Sequence, residues 1–123
     1  MSINKKVVII DYGHGNLFSI KQACIQVGHN PSISNDPNEI IDADYLILPG
    51  VGSFKVAMND LHKKDLIEPI HEFVKKGNNL MGVCLGMQLL FESSEEFGFT
   101  KGLSLIEGKV ERIPSSNNIK IPH

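Results

Sequence analysis

A chain of 123 residues has room for one domain and no more. Its composition, 41% hydrophobic and 21% charged with a formal net charge of −2, gives no electrostatic case for nucleic acid or an anionic membrane as partner. No apolar run approaches bilayer length, the polar opening Met1–Lys6 lacks the layout of a secretory leader, and two cysteines, Cys24 and Cys84, are too few for a disulfide framework, so a cytoplasmic enzyme or enzyme subunit with reduced thiols is the starting expectation.

In chain order, Lys6-Val7-Val8-Ile9-Ile10-Asp11 reads as a strand buried on both faces, because its apolar run is continuous rather than alternating. Tyr12 to Gly15 is a glycine-rich turn, and Asn16 is placed to cap the following helix. In that helix Leu17, Ile20, Cys24 and Val27 recur at spacings of three and four, and Gly28 closes it, which puts Cys24 on a buried stripe. Ser32 to Asn35 can hold a short second strand. Asp36-Pro37 is an N-cap with proline at the first helical position, opening a short helix toward Ile41.

Asp44 to Leu48 is a third strand that runs straight into Pro49-Gly50-Val51-Gly52, after which Ser53 can cap a helix carrying Phe54, Ala57, Met58 and Leu61. Leu66, Ile70, Phe73 and Val74 form a further helical stripe, with Lys75 and Lys76 in its last turn and Gly77 after it. Leu80 to Val83 is a fourth strand, and Cys84 begins the next helix. Strands alternating with helices at this interval predict an α/β fold, a doubly wound and mostly parallel sheet with helices on both faces. After Gly98 the pattern changes. Leu103–Ile106, Lys109–Ile113 and Ile119–Ile121 read as short strands joined by tight turns, an antiparallel extension at the sheet edge over residues 103–121. The ending at Pro122-His123, directly after a predicted strand, reads as an interruption, so residues 1–123 are expected to form a domain incomplete at its C-terminus.

The strongest chemical signal is Gly82-Val83-Cys84-Leu85-Gly86, a nucleophile elbow with cysteine in place of serine, lying between a strand and a helix. Side chains in place of the two glycines would clash where strand and helix pack around a strained nucleophile. Free N–H groups at the helix start would favour the thiolate. Pro49-Gly50-Val51-Gly52 leaves the carboxyl edge of the sheet, where open α/β folds place ligands. One of its N–H groups, with that of Leu85, would make an oxyanion hole; read alone, the segment is equally a plain turn into the Ser53 cap. Gly13-His14-Gly15-Asn16 does not complete a phosphate-binding pattern, because position 18 is Phe, and His14 is read as a surface turn residue. His29, His62 and His71 read as solvated. No Cys/His cluster has metal-ligand spacing, so no metal or other cofactor is expected. A cysteine nucleophile needs a general base, normally His, and none of the five histidines fits that role.

Taken together, Gly82-Val83-Cys84-Leu85-Gly86-Met87-Gln88-Leu89-Leu90, Leu48-Pro49-Gly50-Val51-Gly52-Ser53-Phe54 and Ile10-Asp11-Tyr12-Gly13-His14-Gly15-Asn16 resemble the class I glutamine amidotransferases, whose motifs come in this order. Within that family the chain most resembles the glutaminase subunits of imidazole glycerol phosphate synthase, and Ile121-Pro122-His123 looks like the start of a Pro-His-x-Gly-Trp segment. The resemblance implies a flavodoxin-like fold, Cys84 as nucleophile, and backbone N–H groups of Val51 and Leu85 as the oxyanion hole. It also implies Gly50, Gly52 and Gln88 as glutamine contacts, with Glu96 contacting the amino group of the substrate. The family's catalytic His and Glu correspond to positions beyond residue 123, so the chain alone is expected to be inactive. His14 departs from the Met or small residue usual at its position. Ammonia released from glutamine would pass to a (β/α)₈-barrel cyclase in histidine biosynthesis. Two alternatives stay open: the same glutaminase chemistry paired with a sugar-amidating protein of surface-polysaccharide synthesis, and a cysteine-elbow hydrolase or stress protein.

Overall fold

The computed structural model describes residues 4–118, 120 and 121. Expectations resting on Ile119, Pro122 and His123, including the last predicted strand, lie wholly or partly outside those residues. Four parallel strands, β1 (Val7–Ile10), β2 (Ser32–Ser34), β3 (Tyr45–Leu48) and β4 (Asn79–Gly82), form a sheet in the order β2-β1-β3-β4. The continuous apolar run of β1 is buried throughout because its two sets of side chains serve two cores: Val8 and Ile10 point into one, Val7 and Ile9 into the other.

The larger core is roofed by three helices. Asp36 caps α2 (Pro37–Asp42), its carboxylate accepting from the Asn38 N–H at 2.9 Å, and Pro37 opens the first turn. Ser53 caps α3 (Phe54–Lys63), which buries Phe54, Ala57, Met58 and Leu61 on one stripe. The next helix, α4 (Ile67–Lys75), buries Ile70 and Phe73. Each large apolar side chain taken out of water there stabilises the fold by about 1.5–3 kcal/mol.

The other face carries only α1 (Leu17–Gln26), capped by Asn16, whose side-chain oxygen accepts from the Ser19 N–H at 3.1 Å. The expected stripe is weaker than its spacing suggests. Leu17, Ile20 and Cys24 pack half-buried against Val7, Ile9 and Ile47, and no residue of α1 is fully buried. Val27 is 75% exposed: the helix has already ended, the Val27 N–H bonds the Cys24 carbonyl, and Gly28 at φ +94° turns the chain away. Beside α1 an open apolar depression of about 340 Å³ lies over β3 and β4, lined by Val7, Cys24, Tyr45, Ile47 and Met81 among others.

After β4 the chain differs from expectation. The helix following Cys84 is a single turn, α5 (Leu85–Gln88), and the chain re-enters extended structure at β5 (Phe91–Ser94). A second sheet, β6-β5-β7, pairs β5 antiparallel with β6 (Thr100–Lys101) but parallel with β7 (Ile106–Val110). It is therefore a small mixed sheet of its own, and the purely antiparallel edge extension is corrected. Leu103 to Leu105 are a connection, because the Leu103 and Leu105 amides bond back to the Leu89 and Leu90 carbonyls and Ser104 adopts φ +57°. Strand β7 ends at Val110, short of Ile113.

Candidate active site

The order β2-β1-β3-β4 reverses direction between β1 and β3. From the carboxyl end of β1 the Tyr12–Asn16 turn leads to α1 on one face; from β3 the Pro49–Ser53 loop leads to α3 on the other. The crevice between connections that part this way is where open α/β sheets take ligands. Cys84 follows β4, the strand next to β3.

Cys84 sits at φ +55°, ψ −121°, a backbone conformation that a side chain makes costly, and its residue is exposed. The flanking glycines are required by contact. A Cβ at Gly82 would lie 2.6 Å from the Met87 Cα, and one at Gly86 would collide with the Leu48 carbonyl oxygen of β3. The Val83 N–H donates to that same carbonyl at 3.0 Å, continuing the β3–β4 ladder up to Cys84. The elbow is thus set by packing on β3 as well as by its own turn.

The N–H groups at the elbow are not free. That of Gly86 donates to the Val83 carbonyl at 2.9 Å, and that of Leu85 to the Gly50 carbonyl at 3.2 Å. With one helical turn behind it, the elbow also has little macrodipole to offer. The Gly50–Val51 peptide is trans, so a carbonyl aimed at Leu85 turns the Val51 N–H the opposite way. The two backbone donors expected of an oxyanion hole are therefore adjacent but not assembled; rotation of this one peptide would bring them together.

Gly50 is wedged: a Cβ there would be 2.8 Å from the Gly86 N and 2.9 Å from the Tyr12 hydroxyl oxygen. At Gly52, which sits at φ +98°, a Cβ would meet nothing within 4 Å, and Val51 is exposed. Gln88 is half-buried one turn past Cys84, its N–H on the Cys84 carbonyl at 3.4 Å. Glu96, expected at the amino group of a substrate, accepts with Oε1 from the Phe54 N–H at 3.0 Å, placing a carboxylate at the start of α3.

Three residues to which the sequence reading gave no role in the site tie this edge together. The Tyr12 hydroxyl is buried and donates to the Pro49 carbonyl at 2.6 Å. Burial, with a smaller push from Asp60, holds that hydroxyl well above the ordinary tyrosine range. His14 is not a free surface residue: its side chain is 12% exposed, its Nε2 is 2.6 Å from Asp60 Oδ2, and its ring lies 4.9 Å from that of Tyr12. The hydrogen bond from His14 holds Asp60 below the usual carboxylate range, with Lys63 and Lys64 adding to it. Nothing local in the sequence joins His14 to a side chain 46 positions away; only the β1–β3 adjacency does.

Among the described residues no imidazole is hydrogen-bonded to the Cys84 thiol, no group of three or more His, Cys, Asp or Glu is arranged to hold a metal ion, and no helix is long and apolar enough to cross a membrane.

Residues 8–121 match the family model described as glutamine amidotransferase class-I. The chain is 50% identical over 119 residues to the imidazole glycerol phosphate synthase subunit HisH of Geobacillus sp. (strain WCH70), covering 94% of this chain and 56% of that protein. It is 51% identical over 120 residues to the subunit of the same name from Methanosarcina barkeri (strain Fusaro / DSM 804), covering 97% and 57%. The chain thus spans little more than half the length of these curated relatives. A crystal structure of a glutamine amidotransferase superimposes with a TM-score of 0.72 at 21% identity, over 85% of this chain and 56% of that one, a likeness of fold. A strained cysteine elbow at the carboxyl edge of a β2-β1-β3-β4 sheet and a family match over nearly the whole chain agree: this chain belongs to the class I glutamine amidotransferase family.

Proposed function

We propose that this chain carries the nucleophile half of a glutaminase, with Cys84 forming a γ-glutamyl thioester. The thiolate of Cys84 attacks the side-chain carboxamide carbon of glutamine, and the carbonyl oxygen takes up negative charge. Rotation of the Gly50–Val51 peptide would turn the Val51 N–H toward that oxygen and free the Leu85 N–H to join it. The C–N bond then breaks, nitrogen leaves as ammonia after gaining a proton, and water hydrolyses the thioester to glutamate. Gln88 and the backbone of Gly50 and Gly52 would hold the amino acid, with Glu96 facing its ammonium. The proton donor and the base for water belong, in this reading, to the part of the relatives' length that the match does not cover.

The observation that carries the proposal is Cys84 at φ +55° between β4 and α5, its turn hydrogen-bonded to the Pro49–Gly52 loop. The relatives' names, each a subunit of imidazole glycerol phosphate synthase, support imidazole glycerol phosphate synthesis as the destination of the ammonia and favour it over a sugar; a (β/α)₈-barrel cyclase as the receiving partner rests on the family resemblance. The test is alkylation by the chloroketone analogue of glutamine, read by peptide mass. Selective modification of Cys84 by the L form, with Cys24 untouched, is expected. Equal labelling by the D form would sink the reading.

A further inference from the structure

Loop Pro49–Ser53 is anchored at both ends to the turn after β1, and one side chain makes the second anchor. At the near end, the Tyr12 hydroxyl holds the Pro49 carbonyl, and Gly15 packs so closely that a Cβ there would be 2.7 Å from the Pro49 Cβ and 3.1 Å from the Gly50 N. At the far end the loop continues into α3, and Asp60, in the second turn of that helix, is bonded to His14. The His14 ring also packs on Tyr12, so both anchors meet in one cluster. The loop whose Gly50–Val51 peptide must rotate to bring its N–H to the elbow is thus strung between two points that His14 joins.

We propose that His14 is a positioning residue for the oxyanion loop: its hydrogen bond to Asp60 fixes α3 against the Tyr12–Asn16 turn and so sets how readily the Gly50–Val51 peptide reaches the rotated state. The inference rests on the glutaminase reading for its consequence but not for its geometry. An unbranched side chain without a hydrogen bond at position 14 would still fill space beside Tyr12, yet would remove the polar tie between the second turn of α3 and the Tyr12–Asn16 turn. The expected result is a change in the orientation of one peptide with little change in the fold.

The experiment compares the wild-type chain with His14→Met, His14→Gln, Asp60→Ala and the His14→Met/Asp60→Ala double variant, each checked for an unchanged far-ultraviolet spectrum. The first readout is the set of amide N–H chemical shifts of Gly50, Val51, Gly52 and Leu85. His14→Met and Asp60→Ala should shift the same amides in the same direction, the double variant should move them no further, and His14→Gln, which can still donate to Asp60, should restore them. The second readout is Cys84 alkylation by the L-glutamine chloroketone against alkylation by iodoacetamide, which needs no oxyanion donors. The saturating chloroketone rate should fall on the order of tenfold in the two disrupting variants, with half-saturation and the iodoacetamide rate unchanged. Unmoved loop amides in a folded His14→Met chain would overturn the proposal. So would additive effects in the double variant. Shifted amides with no chloroketone labelling even of the wild type would instead overturn the glutaminase reading and leave the tether standing.

Discussion

The Leu85 amide and the Gly50 carbonyl are hydrogen-bonded at 3.2 Å, so the residue after Cys84 spends its N–H on the very loop expected to cooperate with it. Any ligand oxygen that takes the Leu85 N–H must displace that carbonyl. Gly50 is the residue through which this exchange happens, and it has no room for a side chain. Gly50→Ala should therefore destabilise the chain by about 1–3 kcal/mol through contact with Gly86 and Tyr12. Urea denaturation checks this; an unchanged midpoint would show that the elbow and loop are looser than their distances say.

The backbone at Cys84 gives a prediction about stability that is independent of chemistry. A residue at φ +55°, ψ −121° is strained by its Cβ, and glycine is not. Cys84→Gly should be more stable than Cys84→Ala by about 1 kcal/mol, measured as a difference in unfolding free energy, while both lose all chloroketone labelling. Ala more stable than Gly would mean that the elbow relaxes once the thiol is gone.

Tyr12 offers a cleaner test of the loop's near anchor. Tyr12→Phe keeps the ring and removes the hydroxyl, leaving the buried Pro49 carbonyl without its donor. The cost should be about 1–3 kcal/mol, read from chemical denaturation, with faster amide exchange at Gly50.

The His14–Asp60 bond sets the direction of an acid response. Asp60 is held below its ordinary value in the folded chain, chiefly by the His14 hydrogen bond. Its contribution is thus present above the unfolded carboxylate value and is lost as pH falls through the lower folded value. Thermal unfolding across the acid range should show a shallower decline for Asp60→Asn than for the wild type below about pH 4. Parallel curves would mean that the bond contributes nothing across that range.

Most of the sheet was legible because its residues obey one rule at a time. Val7–Ile10 is a continuous apolar run, and Asn16, Asp36 and Ser53 each cap a helix as their side chains dictate. The elbow was legible from two glycines whose absent side chains the packing confirms. What failed lay where distant partners decide. Leu89-Leu90-Phe91 continues the apolar density of a helix, yet α5 stops at Gln88 and β5 starts at Phe91, where β6 and β7 supply its pairing. Val27 has the spacing of a core residue but follows the last helical turn. His14 reads as a turn residue until β1 and β3 bring Asp60 beside it, and no local pattern predicts which way the Gly50 carbonyl points.

The unequal covering of the two sheet faces bears on how the chain opens. Helix α3 buries four apolar side chains, whereas α1 buries none completely. Segments with fewer buried contacts open at lower free energy, so α1 should lift from the sheet well before α3 does. A protease added to the folded chain would then find Lys21, midway along α1, ahead of Lys55 at the start of α3, although both lie in regular helix. The first cut would leave the β3 loop, the elbow and Asp60 on one intact piece, and detach from it the turn that carries Tyr12 and His14.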